Sequence, residues 1–132
     1  KIGSIYEHYL HVKNALITSD SREAQLGSSA LSAALKVGAL EDTRLNRAAV
    51  LARKMAGTGN VAEQRSQFNA LSLEVEALIK RADIESGKIY KQYCPMANNG
   101  NGASWLSTDS DIKNPYYGKE MLGCGEVTEE IL

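Results

Sequence analysis

The sequence predicts a mainly α-helical protein: an antiparallel four-helix bundle with a small C-terminal β element packed against it. Three observations carry this expectation. Apolar residues recur at steps of three and four through residues 1 to about 86. Helix-capping residues stand at the breaks between those runs. From Gly87 onward the helical period gives way to short polar and apolar alternation, interrupted by glycine and asparagine. At 132 residues the chain fits one domain, residues 1–132, made of a helical bundle over residues 1–86 and a tail over residues 87–132 that holds both cysteines.

The first helix is read from Ile2, Ile5, Tyr9, Val12 and Leu16, which fall on one face at period 3.6, and it should end near Thr18. Asp20 then caps a second helix, with Glu23 three positions on as in a capping box, and Ala24, Leu31, Ala34 and Leu35 form its apolar stripe. Gly38 is expected to close it. A third helix begins near Asp42 or Thr43 and carries Leu45, Ala48, Ala49, Ala52 and Met55. It should stop at Gly57-Thr58-Gly59, where the glycines are free to take positive φ. The fourth is capped by Asn60 with Glu63 at N3. It carries Phe68, Leu71, Val75, Leu78 and Ala82, and should run to about Glu85 or Ser86. Short connections between four amphipathic helices point to antiparallel packing around one core.

In the tail, Lys88 to Tyr93 reads as a strand, Asn98 to Gly102 as a turn, and Trp105-Leu106 and Gly125 to Val127 as further short strands. So few strands are not stable alone, so the tail should lie on the helices. Asn114-Pro115-Tyr116-Tyr117-Gly118 reads as a turn: Pro115 drives Asn114 to an extended backbone, and Gly118 suits positive φ. Tyr116 and Tyr117 would pack the tail with Trp105 or flank a ligand. Arg65, on the helix of Phe68, would pair with an acidic residue or cap tail carbonyls. The acidic run Glu126 to Glu130 reads as a solvated terminus.

Fifteen basic and sixteen acidic residues are interspersed, for a net charge of −1, which leaves no footprint for nucleic acid or a membrane surface. No apolar run reaches the length of a transmembrane segment. The chain opens at Lys1 directly into helical pattern, as expected of a mature or trimmed form whose targeting segment has been removed. Catalysis has little support: Ser104 and Ser107 lack a nucleophile-elbow context, neither HExxH nor a phosphate-binding glycine loop occurs, and the cysteines lack the CxxC setting of a redox enzyme, so the chain is not expected to be an enzyme.

The chemistry concentrates in the tail. Cys94-Pro95-Met96 and Met121-Leu122-Gly123-Cys124 each place a thiol and a thioether within a few residues. Sulfur donors of this kind suit Cu(I) or Ag(I), and thiolates alone would also suit zinc, although the doubled CxxC spacing of a zinc site is missing. His8 and His11, one helical turn apart, are secondary ligand candidates or solvated surface residues. The alternative is a disulfide: Cys94 and Cys124 would close a loop of about thirty residues, worth on the order of 3 to 4 kcal/mol.

QRSQFNALS at 64–72, YCPMA at 93–97, WLS at 105–107, IKNPYYG at 112–118 and ML-x-CG at 121–125, with the YLHVKNAL of the first helix, resemble the DUF3347 family. Its members are bacterial envelope domains, found alone or attached to membrane-fusion adaptor proteins of the CusB type in heavy-metal efflux. The resemblance implies a helical domain with a small β element, export to the periplasm or cell envelope, a link to copper or silver handling, and an efflux adaptor as partner. The CPM of residues 94–96 resembles the CPM of short metal-binding segments in such adaptors, where histidine follows. Here Ala97 follows, which leaves sulfur as the main donor.

Overall fold

A computed structural model describes residues 2–37, 41–82 and 87–131. Four helices come first: α1 (Ile2–Ile17), α2 (Ser21–Lys36), α3 (Thr43–Ala56) and α4 (Val61–Arg81). Strands β1 (Tyr90–Cys94), β2 (Ala103–Ser107) and β3 (Glu126–Glu130) follow, with a one-turn 3-10 helix, Gly118–Met121, before β3. None of the described helices is long and apolar enough to cross a membrane.

The caps form where the sequence puts them, but only half of each capping box closes. Asp20 Oδ1 accepts from the Glu23 N–H at 3.0 Å, while the Glu23 carboxylate takes His11 Nε2 at 2.8 Å instead of reaching back. Asn60 Oδ1 accepts from the Glu63 N–H at 3.1 Å. Thr58 supplies the return half: its hydroxyl accepts from the Asn60 N–H and donates to Glu63 Oε1. Asp42 caps α3 through the N–H groups of Arg44 and Leu45, and its carboxylate also pairs with Arg81 at the far end of α4.

Two expected helix ends differ. Gly57 closes α3 with a right-handed φ of −81°, its N–H directed at the carbonyls of Arg53, Lys54 and Met55, so the stop uses bifurcated hydrogen bonds and no positive φ. α4 ends at Arg81 and not near Glu85: Ala82 is extended, at φ −94° and ψ 154°, so the apolar stripe continues one residue beyond the helix. Gly38, Glu85 and Ser86 lie outside the described residues.

Each helix packs on the next in sequence, and α1 and α2 also touch α4. The stripes meet in a core that includes Leu16, Leu31, Leu35, Met55, Leu71 and Val75, each fully buried. The tail joins the same core. β2 lies on α4 and α1, with all five residues buried. The sheet is antiparallel in the order β2-β1-β3, with a register irregularity between Lys91 and Gln92 where β1 meets β3. The acidic run is solvated, as expected, and it forms strand β3. Its residues are exposed but paired: Glu129 meets Lys80 of α4 and Glu130 meets Lys88, each at 3.1 Å.

A line of aromatic rings crosses the helix–tail boundary. Tyr9 of α1 stacks on Phe68 of α4 at 5.1 Å between centroids; Phe68 meets Tyr116 at 5.8 Å, and Tyr116 meets Trp105 of β2 edge-on at 6.0 Å. The Tyr9 hydroxyl shares a hydrogen bond with Ser72 Oγ at 2.7 Å and accepts from the Leu106 N–H at 2.9 Å, so its buried oxygen is satisfied by both α4 and the sheet.

Candidate functional site

β1 ends at Cys94, on the same inward face as Gln92, because alternate residues of a strand share a face. Pro95 leaves the strand, and the chain turns through Asn98 and Asn99, both at φ 57°. It returns at Gly102, whose φ is 86° and whose N–H donates to the Ala97 carbonyl at 2.9 Å. The Tyr93 ring lies over this glycine: a Cβ there would sit 1.9 Å from the Tyr93 oxygen, so the turn admits no side chain.

Asn114 organises the other approach to the thiols. Fully buried, it donates its N–H to the Leu122 carbonyl at 2.7 Å and its side-chain amide to the Cys124 carbonyl at 2.9 Å. Its Oδ1 accepts from the Tyr116 N–H at 2.7 Å, closing the turn through the buried Pro115. Gly118 takes the positive φ, 64°. Arg65 caps carbonyls and pairs with no carboxylate among the described residues: Nε donates to Pro115 O at 2.8 Å, and Nη2 to Leu16 O at 2.7 Å and Ser19 Oγ at 3.0 Å.

These constraints bring Cys124 Sγ to 2.8 Å from Cys94 Sγ across a sequence separation of 30. Both are free thiols, Cys94 buried and Cys124 half-buried. The hydrogen bond with Cys94, then desolvation, raises the pKa of the Cys124 thiol above its ordinary value. Tyr117 stands beside the pair. Its hydroxyl donates to the Met96 carbonyl, and its pKa is raised by desolvation and then by the two thiols. Tyr117 and Arg65 also line an open cavity of about 300 Å³ with Ser66, Asn98 and Asn99.

The methionines are placed less favourably for a four-sulfur cluster. Met96 is 56% exposed, and Met121 is half-buried on the 3-10 helix, tied to Cys124 by the Cys124 N–H to Met121 O bond of 3.1 Å. His11 is engaged with Glu23 at the α1–α2 contact, and His8 is half-buried on the same helix. Among the described residues, no group of three His, Cys, Asp or Glu side chains is set to hold an ion. Two thiolates gripping one ion through bonds of about 2.3 Å stand about 3.8 Å apart at the tetrahedral angle and about 4.6 Å apart in line. The pair fits a soft ion in donor chemistry, and in spacing only after parting by about 1 Å or more.

Sequence reasoning missed the polar side chains that fix the tail. Gln92 is fully buried, accepts from Trp105 Nε1 at 2.7 Å, and donates to the Asp109 carbonyl at 2.9 Å. Asn69 of α4 accepts the Ser104 N–H at 2.8 Å. Glu76, also on α4, is buried and pairs with Lys80 at 2.9 Å and Lys91 of β1 at 3.1 Å. The one available signal is Gln92, a polar residue at an inward position of a strand.

A family model described as "Protein of unknown function (DUF3347)" matches residues 5–87, more than half of the chain. The match spans the helices and stops before β1, so it does not cover the thiols. No curated protein and no solved structure matches.

Proposed function

The chain belongs to the DUF3347 family, and from that premise we propose that it is an exported, non-enzymatic domain that captures a soft ion, Cu(I) or Ag(I), at Cys94 and Cys124, for tolerance or for delivery to an efflux adaptor. In this reading the four helices form an antiparallel bundle that serves as the platform for the tail. The observation that carries the proposal is the meeting of two thiols that are far apart in sequence, at 2.8 Å, with a methionine near each in the chain. Soft donors of this kind favour monovalent copper or silver over oxygen-seeking cations. In this reading the loop carrying Cys124, which Asn114 holds at Leu122 and Cys124, yields as the sulfurs separate, while Cys94 stays anchored in β1. Met96 and Met121 would add thioether donors after that rearrangement.

A second reading is favoured by the exposed Met96 and the absence of a third ligand among the described His, Cys, Asp and Glu residues. Here Cys94 and Cys124 form a disulfide that pins the tail, and the domain is an envelope interaction module. One site in two redox states accommodates both.

Titration of the reduced protein with Cu(I) against a competing chelator tests the first reading. Wild type should compete for one equivalent, and the double variant Cys94→Ser, Cys124→Ser should lose that competition. Equal binding by the double variant sinks the thiol assignment. Intact mass after alkylation without reductant reports the second reading, since a disulfide leaves both cysteines unlabelled.

A further inference from the structure

The thiols occupy one end of the β1–β2 pair; the opposite end holds a buried amine. Lys13 of α1 is 7% exposed. Among the described residues its ammonium makes one hydrogen bond, to Ser107 Oγ at 3.3 Å, and no ion pair. An ammonium carries three donors, and a buried charge with one long hydrogen bond is under-compensated. Ser107 Oγ also accepts from the Asp109 N–H at 3.0 Å, so its own proton is free for a further acceptor.

These donors open onto a cavity of about 220 Å³, lined among others by Lys13, Asn14, Ser107, Asp109, Asp111 and Lys113. Such a volume admits a ligand of several heavy atoms, given that a water molecule claims about 30 Å³ of liquid. Neither aspartate forms an ion pair with Lys13: Asp109 acts on the ammonium by its charge alone, and its Oδ1 accepts from the Asp111 N–H at 3.1 Å. Burial pushes the Lys13 amine down to about 8, with Asp109 opposing that shift and Lys113 adding to it.

We propose that this cavity binds a small carboxylate, which accepts hydrogen bonds from Lys13 Nζ and the Ser107 hydroxyl and is drawn in by Lys113. The site is independent of the thiol pair. The carboxylate completes the hydrogen bonding of a buried ammonium, which is the physical reason for a lysine at this inward position.

The test follows the lysine side-chain NMR signals of wild-type protein during titration with acetate and, separately, with acetamide, its neutral isostere. The expected result is a saturable shift of the Lys13 ε-methylene with acetate only, and a Lys13 pKa raised by about one unit or more at saturation. Exposed Lys36 should show neither. Lys13→Met should remove the saturable response elsewhere in the cavity, Ser107→Ala should weaken it several-fold, and Cys94→Ser should leave it intact. An acetate response that is linear and matches Lys36, or one that acetamide reproduces, overturns the proposal. The contrast between acetate and acetamide is read on wild type, so a variant that fails to fold leaves the test intact.

Discussion

Phe68 and Asn114 are both fully buried, one in the middle of α4 and one in the tail, and they hold their surroundings by different means. Phe68 fills space between the rings of Tyr9 and Tyr116, and any well-fitting apolar group would do some of its work. Asn114 fills little space, but its side chain makes two hydrogen bonds, from the Tyr116 N–H and to the Cys124 carbonyl, that no apolar residue can replace. The helices are shaped by where apolar surface must go. The tail is shaped by which buried polar groups must be matched, and its thiols meet as a result.

The sharpest way to break this contrast is Phe68→Ala. It should cost about 3 to 5 kcal/mol and lower the urea midpoint of helix and tail signals together, because the ring belongs to both. Asn114→Ala comes next, at about 1 to 3 kcal/mol from unsatisfied buried groups. Its effect should be local: amide exchange should quicken from Leu122 to Val127 and Cys94 should be alkylated faster, with the helices unchanged. If both signals fell equally, the tail would not be a separately yielding unit.

Glu76, which joins α4 to β1 through Lys80 and Lys91, gives a pH handle on the same boundary. Burial acts to raise its pKa, but the hydrogen bonds and charges of the two lysines outweigh it, and the net shift is downward. A depressed folded value means that its contribution is fully present above the unfolded value near 4.5 and is lost as pH falls through the folded value. Stability should therefore drop below about pH 4.5 with a slope of at most about 1.4 kcal/mol per pH unit from this group, and Glu76→Gln should flatten that slope. The smallest expected effect is Asn60→Ala, about 1 kcal/mol, read in thermal unfolding and confined to the start of α4.

The same contrast explains what the sequence disclosed. The helices were legible because their rules are local: the three- and four-residue spacing, and the caps Asp20, Asp42 and Asn60, act within one turn. The end of α4 was misread because Ala82 continues the apolar period while its backbone has already left the helix. In the tail the strands and the turn at residues 98–102 announced themselves, but what joins them did not. Gln92 finds Trp105 thirteen residues on, Asn69 finds Ser104 at a separation of 35, and Lys13 finds Ser107 at 94. The gathering of sulfur was visible as composition. The contact between the two thiols depends on Asn114 holding the Cys124 carbonyl, a pairing no local pattern announces.

Arg65 carries a consequence for how the chain assembles in time. Its donors reach Leu16 and Pro115, at separations of 49 and 50 in opposite directions along the chain. Contacts that close loops of this length carry an entropic penalty and slow folding relative to contacts within a helix hairpin. During synthesis α1 and α4 emerge before Pro115, so the guanidinium can dock on the end of α1 first and wait with Nε unfilled. The tail then arrives last, at a site already organised to receive its carbonyl, and until it does the apolar face that β2 covers stays open to other chains.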